Sequence, residues 1–346
     1  MQYRPLGRTG FLVSEIGFGA WGIGGGGWGG AQDGQSLVAL REALDRGVNF
    51  IDTALMYGSG HSEKLIGQVL RERQGIVYVA TKIPPLNQQI PARRVDRVPD
   101  AFPAHHIIRC TEQSLRNLQR DVIDLQQLHV WRDEWLDDLS WLEALRKLKE
   151  QGKVRAFGVS LNHHDPDSGA RLVKSGYVDT VQVIYNIFDQ APMKTLFPAC
   201  LEHRVGVLVR VPLDEGGLTG TITPATTFPP GDFRGHYFGG NRKAQLSRRL
   251  TPLMQLLGKE AAALPELALR YALAPEAVST VLAGMRTSDH VRANASVSDG
   301  RRLSAALLQQ LAAHAWPRNF YDAAPHGVLG LAKWIAKRGL KLLGLR

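Results

Sequence analysis

Residues 48–81 read VNFIDTALMYGSGHSEKLIGQVLRERQGIVYVAT. Val48–Ile51 is a short apolar run of the kind a strand buried on both faces shows. Ser62–Arg71 carries apolar residues at helical spacing, and Gly75 stands where a C-terminal stop is expected. Val77–Thr81 is a second strand-like run. The stretch is therefore one strand–helix–strand unit, whose two strands lie parallel with a right-handed crossover. Its polar residues gather at one place, Asp52 to Tyr57, just beyond the first strand.

The unit recurs along the chain. The strand candidates are Ile16–Phe18, Val48–Ile51, Val77–Thr81, Ile123–Leu128, Val154–Val159, Thr180–Ile184, Val205–Arg210 and Val278–Leu282. Helical periodicity marks Ser36–Arg46, Ser62–Arg71, His105–Leu118, Leu136–Glu150, Asp167–Lys174, Met193–His203, Glu260–Ala274 and Ser288–Ala295. Eight such units fit either an open doubly wound sheet or a closed barrel, and the count of eight favours closure. The expected fold is α/β, a single (β/α)8 TIM barrel. Ahead of it, Tyr3–Leu6 and Phe11–Ser14 flank Gly7-Arg8-Thr9-Gly10 and read as a β-hairpin covering the barrel bottom. Residues 1–320 form the barrel domain in this reading, and residues 321–346 a C-terminal basic amphipathic tail. Two long excursions, 83–104 and 213–245, leave the C-terminal ends of strands, where a barrel places its active site.

The 346 residues include 42 Lys+Arg and 32 Asp+Glu, a net charge of +10, and 44% are hydrophobic. Such a chain can bury a sizeable core, which excludes extended disorder. Half of the excess charge lies in residues 327–346, as Lys333, Lys337, Arg338, Lys341 and Arg346 with no acid. No apolar stretch of about 20 residues exists to span a membrane, and the N-terminus shows no secretion signal. Two cysteines, Cys110 and Cys200, cannot build a disulfide framework and read as reduced core thiols. The expected compartment is cytoplasmic.

The chemistry sits at strand ends. Strand two ends in Asp52 and leads to Tyr57, strand three ends in Lys82, and strand four in His129. In a barrel these groups converge at one mouth. A phenol has an ordinary pKa of about 10 and is a poor acid or base at neutral pH. A neighbouring ammonium, Lys82, favours the phenolate and lowers that value. Asp52 holds Lys82 in place, and His129 reaches a substrate oxygen or the phenol. Singly, each residue has a bland reading as a cap, a solvated loop group or packing. Together they point to carbonyl reduction with proton transfer from tyrosine.

Asp52-Thr53-Ala54-x-x-Tyr57-Gly58-x-Gly60-x-Ser62-Glu63, with Lys82 and His129, resembles the aldo-keto reductase superfamily. Gly17-Phe18-Gly19, Gly158-Val159-Ser160, Gln182 with Tyr185-Asn186, Pro212-Leu213 and Gly284 with Asn294 extend the resemblance over about residues 3–320. It implies reduction of a carbonyl in an aldehyde, ketone or keto-sugar by hydride from a nicotinamide cofactor, NADP(H), with NAD(H) left open. Tyr57 is then the general acid, completed by Asp52, Lys82 and His129. Tyr185 is implied to stack on the nicotinamide, while Ser160 and Gln182 hold its carboxamide. Pro212 and Leu213 fall among the implied cofactor residues, and no metal is implied. Many members carry Asn where Leu161 stands, so that carboxamide contact is lost or comes from Asn162.

The far end of the cofactor is implied at Gly284 to Asn294. Ser288 reads as a helix cap whose helix N-terminus suits a phosphate. Arg286 reads as a contact to the adenosine 2′-phosphate or the adenine, and Arg292 as a second basic residue there; ordinary solvated arginines are the other reading. Gly284 and Ala293 stand where the family often has Lys and Glu, which bears on NADP over NAD preference. Gly22-Ile23-Gly24-Gly25-Gly26-Gly27 also satisfies a G-x-G-x-x-G dinucleotide fingerprint, with Asp52 beyond it. That reading leaves Tyr57, Lys82 and His129 unexplained, so the glycine run is taken as the first loop of the barrel.

Trp21, Trp28 and Trp131, with Phe233, Tyr237 and Phe238, are candidates for the substrate-pocket wall or for packing. On a helical wheel the tail places Lys333, Lys337 and Lys341 opposite Val328, Leu331, Trp334, Ile335, Leu342 and Leu345. It reads as a peripheral membrane contact, a subunit contact or docking on the barrel. The oligomeric state is not legible. Nucleic acid is not an expected partner, since no basic stripe with interleaved aromatics occurs in the body. A second functional class is a cofactor-sensing regulatory subunit with little turnover, as in the potassium-channel beta subunits that share this barrel.

Overall fold

The computed structural model describes residues 1–29 and 32–322. A hairpin comes first, β1 (Tyr3–Pro5) paired antiparallel with β2 (Leu12–Ser14). Eight parallel strands follow: β3 (Ile16–Gly19), β4 (Phe50–Asp52), β5 (Tyr78–Ile83), β6 (Ile123–Leu128), β7 (Val154–Ser160), β8 (Thr180–Ile184), β9 (Gly206–Arg210) and β10 (Val278–Gly284). They close into a barrel, with β10 pairing both β9 and β3. The expected architecture and hairpin are present, and strand limits shift by one or two residues in most cases.

The helices are α1 (Asp33–Asp45), α2 (His61–Arg71), α3 (Val98–Ala101), α4 (Ala104–Leu118), α5 (Ser140–Glu150), α6 (Ala170–Ser175) and α7 (Leu196–Glu202). Then come α8 (Phe233–Tyr237), α9 (Arg242–Met254), α10 (Leu264–Leu273), α11 (Ser288–Ser296) and α12 (Ala305–Ala312). Helices α3, α8, α9 and α12 have no counterpart among the eight expected segments, and several others start three or four residues away from expectation. The excursion at 213–245 holds α8 and runs into α9, a helix absent from the sequence reading. The segment expected from Glu260 begins at Leu264, because Pro265 occupies the first turn.

The barrel bottom is filled from below. Leu6, Phe11 and Val13 of the hairpin join Phe50, Tyr78, Leu125, Ala156, Leu208 and Leu282 in one buried cluster. This is the covering role expected of the hairpin. The larger cluster lies between strands and helices and includes Cys110 and Cys200, both free thiols. Burial pushes them up to about 11 and about 12, so neither is a reactive thiolate at neutral pH.

With the bottom closed, function is left to the opposite rim. The strands deliver Asp52, Lys82, Ser160, Gln182, Arg210 and Gly284 at or near their last residues, and His129 follows β6 directly. Among the described residues, no helix is long and apolar enough to cross a membrane. Tyr321 and Asp322, assigned above to the tail, pack on the barrel, where the Arg242 guanidinium donates to the carbonyls of Phe320 and Asp322. The amphipathic segment 327–346 lies outside the described residues.

Candidate active site

Lys82 is fully buried, an expensive place for an ammonium unless it is paired. Its Nζ donates to Asp52 Oδ2 at 2.5 Å and to the Thr53 carbonyl at 2.8 Å. The Tyr57 hydroxyl lies 3.4 Å from Nζ, which also sits 5.1 Å from the centre of the tyrosine ring. Asp52 is itself held by side chains the sequence reading did not connect to it. Its Oδ1 accepts from Gln182 Nε2 at 2.7 Å and from Gln127 Nε2 at 3.3 Å. The four expected residues therefore meet around Tyr57. His129 completes the group with its ring 5.9 Å from the tyrosine ring and nearly perpendicular to it.

The electrostatics differ from expectation in one sign. Burial pushes the Tyr57 phenol above its ordinary value; Lys82 pulls it down, Asp52 pushes it up, and burial wins. The expected lowering by Lys82 is real as a contribution and reversed in the balance. The phenol stays protonated over the neutral range, as a proton donor must. Burial, with Lys82 and Arg210 beside it, holds the His129 imidazole well below the usual histidine range, so it is neutral. Its Nδ1 is buried without a hydrogen-bond partner among the described residues.

The motif after β4 locks these groups in register. Thr53 Oγ1 donates to Ser62 Oγ at 2.9 Å, and Ser62 Oγ donates to the Ala20 carbonyl at 3.0 Å. The buried Glu63 accepts from Thr81 Oγ1 at 2.6 Å and Asn117 Nδ2 at 2.8 Å. Gly58 has φ +60°, and a Cβ there would stand 1.9 Å from the Gly24 carbonyl oxygen. The glycine run thus lets the first loop lie directly on the Tyr57-Gly58 turn. It does not open a dinucleotide fold.

The expected cofactor residues divide. Ser160 and Gln182 face each other across the β7–β8 register at the rim. Gln182 Nε2 is engaged by Asp52, so Oε1 is the atom left to accept from a carboxamide. Asn162 has both amide atoms on the Ala92 backbone and does not replace the contact missing at Leu161. Tyr185 is a correction. Its ring is 2% exposed, stacked on Tyr271 at 5.4 Å and edge-on to Phe197 at 5.0 Å, on the helical side of the sheet. It cannot present a face to a nicotinamide. The side chain at the rim of the next strand is Arg210, which the sequence reading passed over as a strand end.

At β10 the geometry is also mixed. Thr287, not Ser288, caps α11, its Oγ1 accepting from the His290 amide. Ser288 instead lies beside Glu42 and helps hold that carboxyl below its usual range. Arg292 is ion-paired with Asp289 and Glu42 on the outer surface, while Asn294 Nδ2 donates to the Gly284 carbonyl at 3.2 Å. Arg286 turns inward: its Nη1 donates to the Gly29 carbonyl at 3.2 Å, and its guanidinium lies 5.7 Å from the Trp28 ring. The first loop is fastened to the seventh by Phe233 N donating to Gly27 O at 2.7 Å and Gly29 N to Asp232 Oδ2 at 3.3 Å. Pro212 is buried and Leu213 half-buried at the base of that seventh loop. The two loops form a strap beside Arg286 and the α11 N-terminus, and among the described residues the buried Trp28 Nε1 has no hydrogen-bond partner. Cation, helix end, strap and the Trp28 donor are features an extended polyanionic cofactor would use.

Of the pocket aromatics, Trp21 belongs at the mouth, 6.2 Å from the Tyr57 ring and 5.3 Å from Phe233. Trp28 meets Trp21 edge-on at 5.3 Å. Trp131 is a second correction: it is fully buried, edge-on to Trp141 at 4.9 Å and Trp135 at 5.7 Å, so it is core. Tyr237 and Phe238 are buried behind Phe233. Tyr321 was not a candidate, yet it stacks on His163 at 4.0 Å and 9° and on Phe233 at 5.8 Å. Its hydroxyl donates to Glu215 Oε1 at 2.6 Å.

Burial pushes the Glu215 carboxyl up to about 7, against the pull of Tyr321 and Arg210. The folded state therefore keeps a proton that the unfolded chain releases from the ordinary carboxylate range upward. Its contribution to stability falls as pH rises to about 7 and is level beyond. Glu215→Gln keeps an acceptor for Tyr321 and removes the ionisation. The expected result is a melting temperature gained over wild type at about pH 8 and little changed at about pH 5, measured by thermal unfolding.

The profile of the Aldo/keto reductase family matches residues 15–315. Aldo-keto reductase YhdN of Bacillus subtilis is 35% identical over 240 residues, 68% of this chain and 69% of that protein. The NADH-specific methylglyoxal reductase of Escherichia coli is 31% identical over 308 residues, covering 85% and 92%. The crystal structure of an aldo/keto reductase from Klebsiella pneumoniae in complex with NADP and acetate superposes with a TM-score of 0.66 at 26% identity, covering 92% and 98%.

Proposed function

The chain belongs to the Aldo/keto reductase family, and on that premise we propose that it uses NADPH to reduce a small-molecule aldehyde, ketone or keto-sugar to the alcohol. The observation that carries this reading is the Tyr57 hydroxyl held 3.4 Å from Lys82 Nζ, in a buried setting that pushes the phenol above its ordinary range. When bound, the reduced nicotinamide supplies hydride to the carbonyl carbon. Tyr57 gives its proton to the carbonyl oxygen. Lys82 stabilises the phenolate left behind, and Asp52 fixes Lys82. Neutral His129 presents a ring nitrogen to the same oxygen without bringing a competing charge. Ser160 and Gln182 hold the carboxamide. Arg286 and the α11 N-terminus take the phosphates, which favours NADPH; NAD(H) is the alternative, as one relative is NADH-specific.

The test is oxidation of NADPH and NADH against a panel of aldehydes, ketones and keto-sugars. Turnover is expected with NADPH preferred. kcat/KM for reduction should be flat through neutral pH and fall on the alkaline side as Tyr57 loses its proton. Oxidation of the alcohol needs the phenolate and should rise over the same range. Tight NADPH binding without turnover on any carbonyl would replace this reading by that of a cofactor-sensing subunit.

A further inference from the structure

We propose that Arg210 sets a fixed positive charge against the nicotinamide and makes the site hold the reduced cofactor more tightly than the oxidised one. This rests on the reductase reading above and goes beyond it.

Arg210 is the last residue of β9 and pairs with Ile184 of β8, two residues beyond Gln182. Its Nη2 donates to the Leu161 carbonyl at 3.0 Å, next to Ser160, and to His163 Nδ1 at 3.2 Å. The guanidinium is thus anchored on the backbone just past Ser160, at the end of the strand next to that of Gln182. Its charge also reaches Tyr57 and His129, the groups assigned to the reacting oxygen. The space between those two sets of residues is where a hydride must pass, and Arg210 borders it.

The cation is rigid and incompletely answered. Burial, with Arg210 itself beside it, keeps His163 neutral, so its Nδ1 accepts from the guanidinium. Tyr321 stacks flat on the other side of that imidazole and fixes it. Among the described residues both hydrogen-bond partners of Arg210 are neutral acceptors, and its Nε is buried without one. The carboxyl that feels it, Glu215, is pushed up to about 7 and takes its own hydrogen bond from Tyr321. It is therefore shifted toward its neutral form and does not fully offset the guanidinium.

A reduced nicotinamide ring is neutral, and the oxidised ring carries one positive charge. Like charges a few ångströms apart in a partly buried site, at an effective dielectric constant near 20, change a binding ratio by about tenfold or more. Arg210 would therefore favour NADPH over NADP+ and speed departure of the oxidised product.

The experiment is titration of wild type, Arg210→Leu and Arg210→Lys with NADPH and with NADP+, read by tryptophan fluorescence, with thermal unfolding of each variant as a folding check. The ratio of Kd for NADP+ to Kd for NADPH should fall about tenfold in Arg210→Leu and stay within about threefold of wild type in Arg210→Lys. An Arg210→Leu ratio within about twofold of wild type overturns the proposal. That includes equal weakening of both cofactors, which marks a structural role. Steady-state KM over the carbonyl panel accompanies the titration: an unchanged ratio with KM raised only for carboxylate-bearing carbonyls marks a substrate-anion role. Wild type binding neither nucleotide would instead sink the reductase reading itself, a distinct outcome.

Discussion

Tyr57→Phe is expected to lower kcat/KM for carbonyl reduction by about 10² to 10⁴, the range a positioned general acid contributes, while Kd for NADPH stays within about twofold. The substitution removes one oxygen. Lys82 keeps its bonds to Asp52 and the Thr53 carbonyl, so the buried ion pair stays satisfied. The ring keeps its place beside Trp21 and His129, and the Gly24 to Gly58 contact that shapes the loop involves no hydroxyl. Fold and cofactor strap are therefore untouched, and the loss falls on proton donation. Steady-state kinetics with NADPH titration separates the two. A variant that reduces as fast as wild type would take Tyr57 out of the proton-donor role.

Much of this site was legible in the sequence because each barrel strand is a short Val/Ile run that stops at a polar residue. Asp52, Lys82 and His129 announce themselves as ionisable groups ending apolar strands. Gln127 and Gln182 do not, since nothing in a sequence says that two amides from different strands converge on one carboxylate. Tyr185 was misplaced because alternation along a strand decides which side of the barrel a ring faces, and one position separates rim from helix layer. Arg210 gains its meaning from His163 and Tyr321, groups brought to it only by barrel closure and by the chain folding back over the mouth. Helix α9 escaped because its stretch is arginine-rich and holds Pro252, with a buried stripe of only Leu246, Leu250 and Leu253 beyond its Arg242 anchor. Strand β4 begins at Phe50 because the Asn49 amide donates to the Ser14 hydroxyl of the hairpin at 3.1 Å, with the Asn49 Oδ1 accepting from the Ser14 amide at 2.6 Å.

The buried Lys82–Asp52 pair gives the second large effect, because stability and catalysis depend on it in different ways. Lys82→Met leaves the Asp52 carboxylate buried with only Gln182 and Gln127 as donors. Asp52→Asn leaves an ammonium fully buried against the Thr53 carbonyl and the phenol. Each single change strands a charge and is expected to cost about 3–5 kcal/mol of unfolding free energy. The double variant Asp52→Asn, Lys82→Met removes both charges, and Asn still offers an oxygen to Gln182. Much of the loss should return, so the double is more stable than either single. Activity should not return, since no ammonium remains to stabilise the Tyr57 phenolate. Denaturant unfolding and kcat/KM measured on the same three proteins decide it. If the double variant were as unstable as the sum of the singles, the pair would not be the coupled unit its 2.5 Å separation describes. If activity recovered with stability, Lys82 would be holding the mouth together and have no part in the proton transfer.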